Sequence, residues 1–421
     1  MNLLGRFRKK AATIAPVQPA APVQSISPKD DRQAATNAEM MLAMLSGSRS
    51  ISGANVTAES ALTFSAVLAC VRVLAESVAM IPYLVYERIG HGKERAASHS
   101  LYSVLHDAPN SEMTSFQWRE TSMAHDVLWG NCYSEIVADG AGRVRELWPL
   151  LPQHMTPDRV NGKMIYKYRD PIKGPIIYQA SEIFHVPGLS MNGLIGLSMI
   201  GIYRESIGLG LTLNEHGSRL FSNGARAGGV LKNPGTLSQP AYDRLKGSFD
   251  ATYAGVENAG RTILLEEGTD FVPTTMPSDD AQFLESRIFQ IEEVARMMHV
   301  PQHMIGSLEH ATFSNIEHLS LDYVIYSLTP WLTRWEQTSS LKLLLPDERA
   351  RYFTEFLVDG LLRGDLLSRY QAYNSSINAG WMTRNEARQR ENMNPDDPAL
   401  DKYLVPLNMT TTDAAAQQVT P

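Results

Sequence analysis

Asp280-Ala281-Gln282-Phe283-Leu284-Glu285-Ser286-Arg287-Ile288-Phe289-Gln290-Ile291-Glu292-Glu293-Val294-Ala295-Arg296-Met297-Met298-His299-Val300-Pro301 is the stretch on which the fold turns. Leu284, Ile288, Ile291, Ala295 and Met298 recur at helical spacing, which predicts a long amphipathic helix that stops ahead of Pro301. Leu321, Ile325, Leu328, Leu332 and Trp335 repeat the pattern and predict a second long helix over residues 317–348. Pro330 sits inside it, removes one backbone donor and predicts a kink. Between the helices lies a loop, residues 302–316, whose polar end is Glu309, His310, Ala311, Thr312, Phe313, Ser314 and Asn315. A loop of small polar side chains can move without disrupting a core.

Upstream, a helical stretch over residues 197–222 precedes a small unit over 223–277. That unit reads as a strand at Val230 and Leu231, a helix over 239–253, and strands over 262–266 and 271–275. Nearer the front, Val67, Val71, Leu74 and Val78 place one apolar face on a helix over 60–80. Pro82 and a strand over 83–88 follow, with a turn at Gly90 and Gly92. A helix over 115–129 starts behind Thr114 as N-cap. Short strands then alternate with the turns Asp139-Gly140 and Asn161-Gly162 up to residue 186. Residues 352–392 read as three shorter helices broken by Gly364 and Gly380. The fold class is α+β, mainly helical, with a Pro- and Ala-rich disordered arm over 1–55 and a flexible tail over 408–421.

The 421 residues are 43% hydrophobic and 20% charged, enough for a substantial core in two or three domains. The net charge of -7 argues against tight gripping of phosphates, and no DNA-recognition motif is present. Cys70 and Cys132 form neither a disulfide framework nor a zinc site, and read as buried thiols. The basic start, with Arg6, Arg8, Lys9 and Lys10, lacks an apolar segment behind it, so a soluble protein made in a cytosol is expected, without a membrane span.

Catalytic, metal and cofactor sites are not expected. There is no Gly-Lys-Ser/Thr phosphate loop. Gly208-Leu209-Gly210 lies inside an apolar helical stretch and reads as close helix packing. His299 and His303 are four apart, but Pro301 between them ends the helix, giving a cap and a loop histidine. Glu266-Glu267 would point to opposite faces of a strand. Asp279 and Asp280 follow Ser278 and complement a helix N-terminus. Asp279, Asp280, Glu285, Glu292 and Glu293, set against Arg287 and Arg296, give the helix an acidic face that points elsewhere than its apolar stripe.

Ordered strings along the chain resemble the portal proteins of long-tailed, lambda-like bacteriophages. They include Ala69-Cys70-Val71-Arg72-Val73-Leu74-Ala75-Glu76-Ser77-Val78-Ala79, Leu128-Trp129-Gly130-Asn131-Cys132-Tyr133 and Phe221-Ser222-Asn223-Gly224-Ala225-Arg226. Asp280-Ala281-Gln282-Phe283-Leu284-Glu285, Val300-Pro301-Gln302-His303 and Thr312-Phe313-Ser314-Asn315-Ile316-Glu317 continue the series. Thr383-Arg384-Asn385-Glu386-Ala387-Arg388 closes it. The resemblance implies a wing, stem, clip and crown architecture in a ring, usually of twelve subunits, around a DNA channel. By segment it implies a wing over 56–196, stem helices over 197–222 and 278–301, and a clip over 223–277. The tunnel loop would be 302–316, the kinked wing helix 317–348 and the crown helices 349–407. It also implies partners: the terminase large subunit, the major capsid protein and scaffold, a head-tail connector, and double-stranded DNA passing through. The virion, with the host cytoplasm during assembly, would be the location. Another head-tail connector or minor capsid protein, and an enzyme with an unrecognised site, are the alternatives; the two long helices around a polar loop favour the portal.

Overall fold

The computed structural model describes residues 49–404 apart from 91, 223–228, 254–267, 274–279, 307–318, 359–365, 392 and 395. The chain opens with α1 (Ala58–Ala61), whose N-cap Thr57 and N3 residue Ser60 form a reciprocal capping box. After Phe64 comes α2 (Ser65–Met80), which buries Ala66, Val67, Cys70, Val71, Leu74, Ala75, Val78 and Ala79. The single helix expected over 60–80 is therefore two. Phe64 takes an extended backbone and packs its ring against Gly210, where a Cβ would lie 2.6 Å from its Cε1.

Strands β1 (Tyr83–Ile89) and β2 (Gly92–Arg95) follow, then α3 (Ser100–His106) and α4 (Ser115–Trp129). Thr114 caps α4 through the hydroxyl, which accepts from the Gln117 N–H, and Gly130 closes the helix with φ 75. Next come β3 (Asn131–Ala138), β4 (Val144–Leu150), β5 (Met155–Val160), β6 (Lys163–Asp170), β7 (Gly174–Gln179) and β8 (Ile183–Pro187). Helices α5 (Met199–Ile202) and α6 (Arg204–Ser222) lead to β9 (Gly229–Lys232), α7 (Gln239–Tyr253) and β10 (Asp270–Pro273). Then α8 (Asp280–Met297) runs to a 3-10 turn at Gln302–Ile305. A π-helical segment (Tyr323–Leu328) continues into α9 (Thr329–Lys342), β11 (Tyr352–Phe356), α10 (Leu366–Asn378) and α11 (Arg384–Arg390).

The sheets are antiparallel. Their strand orders are β11-β1-β2, β4-β3-β8, β5-β6-β7 and β10-β9. The pairing of β11 with β1, Tyr83 opposite Phe356, joins parts of the chain some 270 residues apart. This corrects the reading of residues 349–407 as helices throughout. Tyr352, Phe353, Thr354, Glu355 and Phe356 form a strand rich in β-formers, and the open edge of β1 gives it a partner. In that span α10, α11 and the 3-10 turn Pro398–Asp401 are helical.

The main core is aromatic at its centre. Trp118 and Trp335 meet edge-on at 5.4 Å, Phe184 lies 6.1 Å from Trp335, and Tyr83 stacks on Phe356 at 4.0 Å. Arg119, also buried, donates to the carbonyls of Ala79 at 2.8 Å and Leu105 at 3.0 Å, tying the last turns of α2 and α3 to α4. Burial pulls its guanidinium down to about 10. Arg119→Met preserves most of the side-chain bulk and strands these carbonyls, so a loss of about 2–4 kcal/mol is expected in urea unfolding.

The segment ahead of Pro330 differs from the plain kink that a proline alone predicts. The Thr329 N–H reaches back five residues to the Val324 carbonyl, and the Thr329 hydroxyl donates to the same oxygen at 2.8 Å. The wider π turn accommodates the proline ring and advances the apolar face by about one residue. Leu328, Leu332 and Trp335 are buried as predicted, whereas Tyr323 and Val324 are buried in place of Leu321 and Ile325, which are exposed.

Candidate functional site

Helices α6 and α8 run antiparallel. Arg287 donates to Asn214 Oδ1 at 3.1 Å, Phe283 packs against Gly217, and Ser206 donates to the Glu293 carboxylate, which also accepts from Gln290. Gly208 and Gly210 are close-packing positions, as expected: a Cβ on Gly208 would lie 2.3 Å from Ser50 Oγ. The stripe on α8 is only half used inside the subunit. Ala295 and Met298 are buried, Ile291 is half-buried, and Leu284 and Ile288 are exposed.

The acids divide accordingly. Glu285 is exposed and Glu292 half-buried, seven residues apart on the side of α8 away from α6. Glu293 faces α6 and is engaged with Ser206. Asp280 begins the helix, and Asp279 lies outside the described residues. The loop residues Glu309, His310, Ala311, Thr312, Phe313, Ser314 and Asn315 also lie outside them; the last described residue ahead of the loop is Gly306, whose φ is 91. His299 leaves the helix with φ 55 and His303 sits on the 3-10 turn, so the two do not share a helical face. Among the described residues no group of three or more His, Cys, Asp or Glu is placed to hold a metal, and no helix is long and apolar enough to cross a membrane. Cys70 and Cys132 are buried free thiols, as expected.

The junction between the α+β body and the α6–α8 pair is built around three glycines. Gly188 N–H donates to the Gly130 carbonyl at 2.8 Å. Asn131 Oδ1 accepts from Gly196 N–H at 2.8 Å while its Nδ2 donates to the Gly196 carbonyl at 2.9 Å. The Ser198 hydroxyl donates to the Leu128 carbonyl at 3.0 Å. His185 continues the network: its Nε2 lies 3.0 Å from Asn131 Oδ1 and its Nδ1 3.1 Å from the Tyr166 hydroxyl. The pattern assigns a neutral ring with the proton on Nε2 and the tyrosine as donor to Nδ1. Burial holds His185 down to about 3. A chain entering α5 and α6 through this clasp has its direction fixed by the end of α4.

A sequence profile of the phage portal protein family matches residues 65–392, which spans the body, the junction and both helices. The chain belongs to the phage portal protein family. It is 32% identical over 380 residues to a probable portal protein of Streptomyces phage phiC31, covering 86% of this chain and 82% of that one. It is 31% identical to the portal protein of Enterobacteria phage HK97, covering 81% of each. The fold is shared with an HK97-family phage portal protein from Corynebacterium diphtheriae, with TM-score 0.54 and 20% identity over 72% of this chain and 96% of that one. A chain in the neck of a native gene transfer agent particle, computed with C12 symmetry, superposes with TM-score 0.54 at 21% identity, covering 85% and 99%. The function of the family is structural, and portal function is the role that these matches give the chain.

Within the portal fold, the clasp is what sequence reasoning passed over. Gly130 and Asn131 stood inside a family-like string, but their partner Gly196 is 65 residues from Asn131 and nothing local announces it. The buried histidine makes a testable signature. Its folded pKa lies below its unfolded value, so its stabilisation is full above about pH 6.5 and is lost as the pH falls toward 3. His185→Gln is expected to move the acid-unfolding midpoint to lower pH, followed by intrinsic fluorescence between pH 7 and 3.

Proposed function

We propose that about twelve copies of this chain form the ring at the unique capsid vertex, through which double-stranded DNA is packed and later ejected. The observation that carries this is the family match across residues 65–392, supported by the portal folds seen in rings such as the twelvefold neck. In this reading α6 and α8 are the stem, residues 223–277 the clip, the α+β body the wing, and α10 and α11 the crown. Residues 302–316 form the tunnel loop, with Glu309 to Asn315 as its part toward the DNA channel. The terminase large subunit and the head-tail connector dock on the clip, and the major capsid protein and scaffold meet the wing. The chain itself is not an enzyme; a separate ATP-driven motor acts on it. It resides in the virion, after assembly in the host cytoplasm.

Glu285 and Glu292 supply the acidic wall. A repelled polyanion gains no counterion-release affinity and slides without sticking. Capsids assembled with the chain are expected to take up DNA in a packaging reaction, and capsids assembled without it to stay empty; uptake without the chain would refute the reading. Glu285→Lys combined with Glu292→Lys is expected to slow packaging several-fold, most at low salt, where Lys–phosphate attraction is strongest. An unchanged rate at low salt would remove the acidic-wall role.

A further inference from the structure

The chain carries a protruding apolar side chain beside α6 and an apolar pocket at the C-terminal end of α8. The side chain is Ile51, 94% exposed. It projects from a short hairpin closed by a bridge between Arg49 and Asn55. The hairpin is held down firmly. The Ile51 N–H donates to Glu205 Oε2 at 2.7 Å, Ser50 packs on Gly208, and the Thr212 hydroxyl lies 3.1 Å from Ser52 Oγ. An isoleucine kept in water by three anchors on α6 is a rigid knob that packs on nothing among the described residues of its own subunit.

The pocket is a cavity of about 280 Å³ where the C-terminal end of α8 meets α5 and the π-helical segment. Leu189, Met199, Met298, Tyr326 and Trp331 line it. Two of its polar groups are already engaged. The Ser327 hydroxyl donates to the His299 carbonyl at 2.5 Å, and the Arg334 guanidinium lies over the Trp331 ring at 4.8 Å. What remains is an apolar mouth, near the lower limit of small-molecule sites and suited to one or two aliphatic side chains. Tyr326, 68% exposed, and Leu189, 52% exposed, stand at its rim. The thioethers of Met199 and Met298 adapt to a branched guest.

The two features are placed as a ring requires. Glu205, Gly208 and Thr212 hold the knob on one face of α6, whereas Ser206, Asn214 and Gly217 hold α8 on a face roughly 160° away. Rotation about a ring axis preserves height, so contacting patches must lie at one level. Glu205 is one residue from Ser206, which touches Glu293, and Met297 is one turn beyond Glu293 on α8. Knob and pocket thus differ in level by about 5 Å along the helices. A head-to-tail cyclic interface needs two different, complementary patches on each subunit.

We propose that Ile51 of one subunit seats in the pocket lined by Leu189, Met199, Met298, Tyr326 and Trp331 of the next copy of this chain. The inference rests on the ring reading above. The test is an oxidative cross-link in the full-length chain carrying Ile51→Cys together with Tyr326→Cys. Cys70 and Cys132 are fully buried and stay silent. The double variant is expected to give a ladder of multimers on a non-reducing gel that collapses to one band with reductant, and each single variant no ladder. Ile51→Asp is expected to leave the melting temperature unchanged and to raise the concentration for half-assembly by about tenfold to a hundredfold. If the wild-type chain forms rings while the double variant gives no ladder and Ile51→Asp assembles normally, the knob and pocket are wrong and the ring stands. If the wild-type chain is monomeric at every concentration, both readings fall.

Discussion

Gly196→Ala is expected to yield almost no soluble folded protein, whereas Gly140→Ala behaves as wild type. A Cβ on Gly196 would lie 1.8 Å from the Gly130 carbonyl oxygen and 2.7 Å from Gly188 N, backbone on both sides. At Gly140 a Cβ meets nothing within 4 Å. Relief at Gly196 requires the Gly130–Gly188 hydrogen bond and both Asn131 contacts to open. Asn131 and His185 are buried, so each stranded polar group costs about 1–3 kcal/mol. Several such losses approach the whole stability of an ordinary domain, about 5–15 kcal/mol. The check is soluble yield and thermal unfolding of the two variants side by side. A Gly196→Ala protein that melts like wild type would show that the clasp does not hold the junction.

Stability is expected to fall between pH 6 and 8.5, and Asp126→Asn to abolish most of that fall. Asp126 projects from α4 into the main core, where Trp335 Nε1 donates to its Oδ2 at 3.1 Å. Burial pushes its carboxyl up to about 8, against which the hydrogen bonds from Trp335 and Cys132 act only partly. The folded pKa lies above the unfolded one, so the folded state binds the extra proton. Its contribution is fully present below about pH 4 and is lost as the pH rises through 8. The slope approaches one proton, about 1.4 kcal/mol per pH unit, across the window between the two pKa values. His125 and His185, held near 4 and 3, add their own slope only below about 6.5, and the comparison with Asp126→Asn separates Asp126 from Glu336 and Lys342, which burial also shifts. The amide introduced by Asp126→Asn still accepts from Trp335 and carries no charge. Urea midpoints of wild type and Asp126→Asn at pH 6 and 8.5 decide it; equal slopes in the two proteins would place the titration elsewhere.

Both sites explain what the sequence could and could not convey. Helix α4 was legible to the residue because its start is a local capping box and its end a left-handed glycine. Helix α7 was legible over its whole length, Gln239–Tyr253, and α8 from its apolar spacing. The hidden features are all non-local. Strand β11 looked helical until β1 was there to pair with it. The break at Phe64 exists because of Gly210, and the clasp at Asn131 exists because of Gly196. The phase of the helix after Tyr323 depends on how the π turn absorbs Pro330. Among the acids of α8, spacing alone could not separate Glu293, engaged by Ser206, from its neighbour Glu292. The residues that anchor the portal reading were thus visible as strings before their partners were.

The ring itself is tested most directly by weighing the purified full-length chain in solution and imaging the same fraction by negative stain. The account predicts closed rings with a central hole, near 560 kDa for about twelve copies of the 46.7 kDa chain. A species that stays at 46.7 kDa across the accessible concentration range, with no rings in the images, would contradict it.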